Sequence, residues 1–128
     1  MDPIKLPNPQ QLRNERSEEF ASAYANNVGF ESSVWDLKLI FGQLDQATGI
    51  IEQHTAITVP WSLVKLSLYH LAAQITAYEI IYGKVALSPD VLPPEPVPPP
   101  EEYKENAAFQ RVYEALKRLH EDFIRKVQ

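Results

Sequence analysis

Three histidines, His54, His70 and His120, are the residues of this chain best suited to acid–base or metal chemistry, and their placement serves neither. Metal and catalytic sets need partners converging on one point, with helical ligands three or four residues apart. Each histidine stands alone in its own segment. The one adjacent carboxylate, Glu121 beside His120, faces another direction, because successive helical residues do not share a face. All three read as structural. The serine pairs and Ser67 lack the strand–turn–helix context of an activated nucleophile. Four glycines form no loop that could cradle phosphates. Asp36 and Asp45 flank the second strand and Glu79 lies on the helix; two of them could meet across the sheet edge, but carboxylates on outer faces are ordinarily solvated. Without cysteine there is no disulfide, thiolate metal site or thiol nucleophile. The sequence predicts no enzyme, no metal and no cofactor. A hydrolase or ligand-binding enzyme using His70 or Glu79 is the minority alternative.

What the residues do suggest is contact. Trp61, Tyr69, Tyr78 and Tyr82 give one long helical segment an aromatic edge, suited to core packing and to the aromatic anchors of interfaces. The elements that position them run from residue 24 to residue 85. Phe20, Tyr24, Val28 and Phe30 share one parity, which predicts a first strand, with Ser32-Ser33 as its turn. Trp35, Leu37, Leu39 and Phe41 alternate against Asp36, Lys38, Ile40 and Gly42, the cleanest period-two signal in the chain. A turn over residues 45–49 closes a hairpin. A third strand follows over residues 50–59, with Ile51, Thr55, Ile57 and Val59 predicted on the buried parity. Pro60 fits the first position of a helix, where no amide hydrogen is needed, and Gly83 fits its left-handed cap. Between them only Lys65, Gln74 and Glu79 are strongly polar. A helix apolar nearly all round is buried on two sides. The sheet supplies one; the other falls to a partner subunit or to the last helix.

The chain of 128 residues has room for one domain with an appendage, and 45% of it is hydrophobic. Net charge is −5, with no clustered basic face, so nucleic acid is disfavoured as a direct ligand. The beginning of the chain is polar and proline-marked, without a signal-peptide core, and no apolar run reaches membrane-spanning length. A leader over residues 1–18, with a helical turn near Gln10 to Arg16, and a soluble cytoplasmic protein with no membrane contact are the expectations.

Residues 88–100 hold seven of the eleven prolines. Such a run favours an extended, semi-rigid spacer. Its P-x-x-P spacings at Pro93, Pro96 and Pro99 also suit a proline-motif ligand, but no basic anchor flanks them. Beyond it, residues 101–128 predict an amphipathic helix carrying Phe109, Val112, Tyr113, Leu116, Leu119, Phe123 and Val127. Acidic residues open it and Arg125 and Lys126 close it, as the helix dipole favours.

Tyr24-Ala25-Asn26-Asn27-Val28, Trp35-Asp36-Leu37-Lys38-Leu39-Ile40-Phe41-Gly42, Ile57-Thr58-Val59-Pro60, Ala77-Tyr78-Glu79 and Tyr82-Gly83-Lys84-Val85 together resemble a small uncharacterised prokaryotic domain family, over residues 20–86. That family opens on Tyr-x-Asn, ends its second strand in Phe-Gly, starts its helix at Thr/Ser-Pro and closes it with Tyr-Glu and Phe-Gly. Here Tyr82-Gly83 replaces the last pair, and Val59 separates Thr58 from Pro60. The resemblance implies no activity and no catalytic residues. More distantly, the strand–strand–strand–helix order is similar to that of the export chaperone SecB and its relatives, which implies assembly of such units and binding of other polypeptides.

The expected fold is α+β: a three-stranded antiparallel meander packed on one long helix (β-β-β-α, SecB-like), plus a tethered C-terminal amphipathic helix. The expected divisions are a leader (1–18), a core domain (19–87), a proline-rich linker (88–100) and the amphipathic helix (101–128). The expected function is a non-enzymatic, homo-oligomeric protein–protein interaction module, a dimer or tetramer, which binds other polypeptides in SecB-like fashion. The alternative is a structural or adaptor subunit of a larger assembly, docking a partner through the last helix. The expected interface residues are Trp61, Leu68, Tyr69, Leu71, Ile75, Tyr78 and Tyr82 on the long helix, with the seven apolar residues of the last helix named above.

Overall fold

The structure is a computed structural model and describes residues 12–128. The element order is β1 (Asn27–Ser32), β2 (Asp36–Asp45), β3 (Ile50–Pro60), α1 (Trp61–Tyr82) and α2 (Ala107–Val127), with short 3-10 turns at Pro89–Val91 and Glu101–Tyr103. The three strands form one antiparallel sheet in the order β1-β2-β3. This is the α+β arrangement that alternation and helical periodicity lead one to expect. By contact density the chain divides inside α1, into Met1–Ala77 and Tyr78–Gln128, rather than at the proline run.

In the first unit β1 begins later than parity suggests. Phe20 and Tyr24 precede the ladder, which opens where Asn27 faces Gly42. Asn26 explains the stop. Its Oδ1 accepts from the Leu44 amide at 2.7 Å and its Nδ2 donates to the Leu44 carbonyl at 3.4 Å. The side chain thus takes the backbone partners that a longer strand would have used. The helical turn expected near Gln10 to Arg16 is not seen over residues 12–16, and residues 1–11 of the expected leader lie outside the described residues. A turn follows it instead, where the Phe20 amide donates to the Ser17 carbonyl at 3.0 Å.

Trp35, expected on the apolar face of β2, sits in the β1–β2 turn and is exposed. Ser33 organises that turn: its Oγ accepts from the Trp35 and Asp36 amides, both at 3.1 Å, and donates to the Asp36 carboxylate at 3.0 Å. These local bonds compete successfully with strand continuation. The β2–β3 hairpin closes over residues 46–49, with Gly49 at φ 72° and its amide donating to the Asp45 carbonyl at 2.8 Å.

The ladder between β2 and β3 slips once. Phe41 faces Thr55, but Gly42 faces Gln53, so His54 is an extra, bulged residue. A one-residue bulge exchanges the two faces beyond it. Ile51, expected beside Ile57 and Val59, therefore joins Leu44 on the opposite face. Gly42 is what lets the strands close there: a Cβ on it would lie 2.7 Å from the Glu52 carbonyl oxygen and 3.0 Å from Ile51 Cγ2.

Pro60 is the last residue of β3, facing Asp36, rather than the first of the helix. No connecting residue separates β3 from α1. The Trp61 indole N–H donates to the Ser33 carbonyl at 3.0 Å and pins the helix start to the β1–β2 turn. The main packing contacts between elements are those of β1 with β2 and β2 with β3; α1 does not lie along the sheet that was expected to cover it. No hydrophobic side chain among the described residues is fully buried.

The second unit starts with the last turn of α1. Gly83, at φ 100°, caps it as expected, its amide donating to the Glu79 carbonyl at 3.0 Å. Glu79 Oε2 accepts the Val85 amide at 2.7 Å. The proline run is extended as its composition dictates: Ser88, Leu92 and Pro100 have φ/ψ of −63°/142°, −65°/141° and −56°/154°. It does not stand clear of α2. Lys84 Nζ donates to the Gln128 carbonyl at 3.1 Å, His120 Nε2 bonds the Pro93 carbonyl at 2.9 Å, and Gln110 Nε2 donates to the Lys104 carbonyl at 2.8 Å. As the run advances, its partner moves back along α2, so the two are antiparallel. Three residues per turn put Pro93, Pro96 and Pro99 on one edge, and Pro96 and Pro99 are half-buried together with Tyr113, Ile124 and Val127. The helix itself begins at Ala107, later than the acidic cluster suggests, because Asn106 Oδ1 caps it by accepting from the Ala108 and Phe109 amides at 3.0 and 3.2 Å.

Candidate functional site

The site is an apolar groove in the first unit, between one face of the sheet and the opening turns of α1. Strand pairing fixes its floor. Phe30 faces Leu39, Leu39 faces Ile57, and Leu37 faces Val59, so these side chains emerge on one side of the sheet. Phe41 completes that row. The wall is Trp61, Val64, Leu68 and Leu71, which recur at helical spacing, with Lys65 and Ser67 at the margin. The volume of the groove is about 620 Å³, large enough for several side chains at once.

The groove is open. Phe30 is 62% exposed, Leu68 69% and Leu71 67%. A fully covered side chain of this size contributes roughly 1.5–3 kcal/mol by leaving water, so the single chain leaves most of that stabilisation unrealised. Leu68 and Leu71 were expected to be buried on two sides; in one copy of the chain they are not.

The other expected interface residues divide by position. Trp61 lines the groove and is held by its indole bond. Tyr69 stands edge-on to His70, with ring centroids 5.4 Å apart. Ile75 is exposed. Tyr78 and Tyr82, one turn apart, have centroids 5.0 Å apart and remain open to solvent. On α2, Tyr113 and Val127 are half-buried, while Phe109, Val112, Leu116, Leu119 and Phe123 form an exposed stripe at alternating three- and four-residue spacing. Phe109 also meets Tyr103, with centroids 4.9 Å apart. Sequence reasoning passed over the sheet half of the groove. Its signal, the alternation through Leu37, Leu39 and Phe41, located a strand without marking that face as a binding surface.

The polar residues engage locally. His54 donates from Nε2 to the Tyr24 carbonyl at 2.9 Å and meets Thr55 Oγ1 at 2.7 Å through Nδ1. These bonds hold the chain ahead of β1 over the bulge. Lys38 pairs with Glu31 across the strands at 3.7 Å, and Arg125 pairs with Asp122 on α2. A second concavity beneath the β2–β3 hairpin is edged by Asp45 and Glu52, but the Asp45 carboxylate already accepts the Ala47 amide at 2.9 Å. Among the described residues no three metal-ligating side chains cluster, and no helix is long and apolar enough to cross a membrane. The arrangement offers apolar contact area. Comparison with protein-family models, with curated proteins and with solved structures finds no match.

Proposed function

We propose that this chain is a non-enzymatic, self-associating protein–protein interaction module whose sheet-and-helix groove is an interface. The observation that carries this reading is the absence of any buried hydrophobic side chain among the described residues, beside a groove in which Phe30, Ile57, Leu68 and Leu71 stay exposed. Domains of this size are held together by apolar burial, and exposed contiguous apolar surface marks association. A second copy supplies the missing interior, and room left along the groove suits an extended apolar polypeptide, the SecB-like role. Sedimentation velocity tests the first part: the chain sediments as a dimer or larger species at micromolar concentration, and a stable, well-folded monomer there overturns it.

One observation favours the adaptor role as a second reading. The exposed stripe Phe109, Val112, Leu116, Leu119 and Phe123 lies beside the α2 face that the proline run occupies, so α2 retains a free docking surface. Leu119→Glu in the full chain separates the two readings. It leaves self-association intact and abolishes capture of a partner if α2 is the docking element.

A further inference from the structure

The long helix carries only two charged residues, Lys65 and Glu79, and they are opposite in sign and equidistant from Ala72. A seven-residue spacing keeps Lys65, Ala72 and Glu79 on nearly one line of the helix. Leu68 and Ile75 interleave with them at steps of three and four, the seam along which helices pair. The charges therefore sit at the two ends of a seam whose centre is a small residue. Leu68 belongs to the groove wall and Lys65 to its margin, so the first half of the seam borders the open groove.

We propose that the occupant of the groove is α1 of a second copy, running antiparallel, with the two-fold axis at Ala72. This rests on the self-association proposed above and adds which surfaces meet and in which direction. The two-fold then sets each Lys65 beside the partner's Glu79, twice per dimer, and each Leu68 beside the partner's Ile75. The small side chain at Ala72 allows close approach where the helices cross. A parallel pair instead stacks Lys65 on Lys65 and Glu79 on Glu79, which repel. Glu79 remains available for this role because its contact with the Val85 amide uses one carboxylate oxygen.

Area supports the same occupant. At roughly 150–250 Å² for a large side chain, the open fractions of Phe30, Ile57, Leu68, Leu71 and Ile75 leave on the order of 600 Å² of apolar surface on each chain. A stable pairing covers about 800 Å² per partner. The partner helix, on which only Lys65, Gln74 and Glu79 are strongly polar, supplies most of that requirement.

The chain has no cysteine, so introduced thiols report on single positions. In the full chain Ala72→Cys oxidises to a covalent dimer, because a residue on the axis meets its own copy within disulfide reach. Lys65→Cys does not, because the antiparallel order carries the two Lys65 positions to opposite ends of the seam. Lys65→Glu raises the dimer dissociation constant about tenfold, since the symmetry applies each change twice, and adding Glu79→Lys restores it. An unmodified chain that sediments as a monomer overturns both the self-association and this pairing. A dimer in which Ala72→Cys stays unlinked, or in which Lys65→Cys links as readily, overturns the pairing alone. So does a groove that becomes protected from hydrogen exchange only when an extended apolar peptide is added.

Discussion

Substituting Gly42 by alanine tests the bulge that decides which side chains reach the groove. The added Cβ would meet the Glu52 carbonyl oxygen at 2.7 Å, Ile51 Cγ2 at 3.0 Å and Gln53 Cα at 3.1 Å. Two of these three are backbone atoms of the paired strand, so no side chain can swing aside and the strands must part. Gly42 is not among the positive-φ residues, and the cost is therefore steric rather than conformational. Forcing a methyl group into a closed contact costs about 2 kcal/mol. At 4–8 °C per kcal/mol for a unit of 60–100 residues, the melting temperature falls by roughly 8–16 °C. Gly29→Ala is the control, because its nearest neighbour, the Ile40 carbonyl oxygen, is 4.0 Å away; this variant melts with the parent or slightly above it. Both are read by circular-dichroism melting of the full chain at one fixed concentration, because association shifts the midpoint by mass action. The reasoning fails if Gly42→Ala melts within a degree or two of the parent, or if Gly29→Ala falls by the same amount.

Leu68→Asp places a charge in the groove, and since Leu68 is 69% exposed in one copy, the effect falls on association. Sedimentation equilibrium detects dissociation to smaller species, whereas full destabilisation with the oligomer unchanged contradicts the open groove. Asn106→Ala removes the acceptor for the Ala108 and Phe109 amides and costs about 1 kcal/mol at the start of α2. Hydrogen exchange of those two amides accelerates while the sheet amides are unchanged.

The sequence was most legible where pattern and partner agree. Alternation through Leu37, Leu39 and Phe41 located β2, and Gly83 located the end of α1, because each rests on a local rule of geometry. The departures come from side chains that imitate or interrupt backbone. Asn26 ends a ladder that Phe20 and Tyr24 seemed to start, and Ser33 draws Trp35 out of a strand into a turn. His54, as one bulged residue, reverses the face of Ile51. The acidic cluster before Asn106 resembled a first helical turn, yet the asparagine held the stronger cap. Packing was less legible than element order. An all-round apolar α1 says that the helix must be covered, but periodicity does not say by which chain. The groove shows the same limit: Ile57 was readable as part of a buried parity, and in the fold it is half uncovered.

The direct passage from Pro60 into Trp61 also governs how this chain can change in length. A connecting loop absorbs an inserted residue, as the hairpin over residues 46–49 can. At the β3–α1 joint nothing absorbs it: the strand register is set by Pro60 facing Asp36, and the helix phase by the Trp61 bond to Ser33. One residue added or lost there turns every later position of α1 by about 100° around its axis. Val64, Leu68 and Leu71 then leave the groove together. Descendants of this sequence are free to lengthen at the hairpin and are held to strict length at the joint, so insertions and deletions across the lineage should spare the two residues where strand becomes helix.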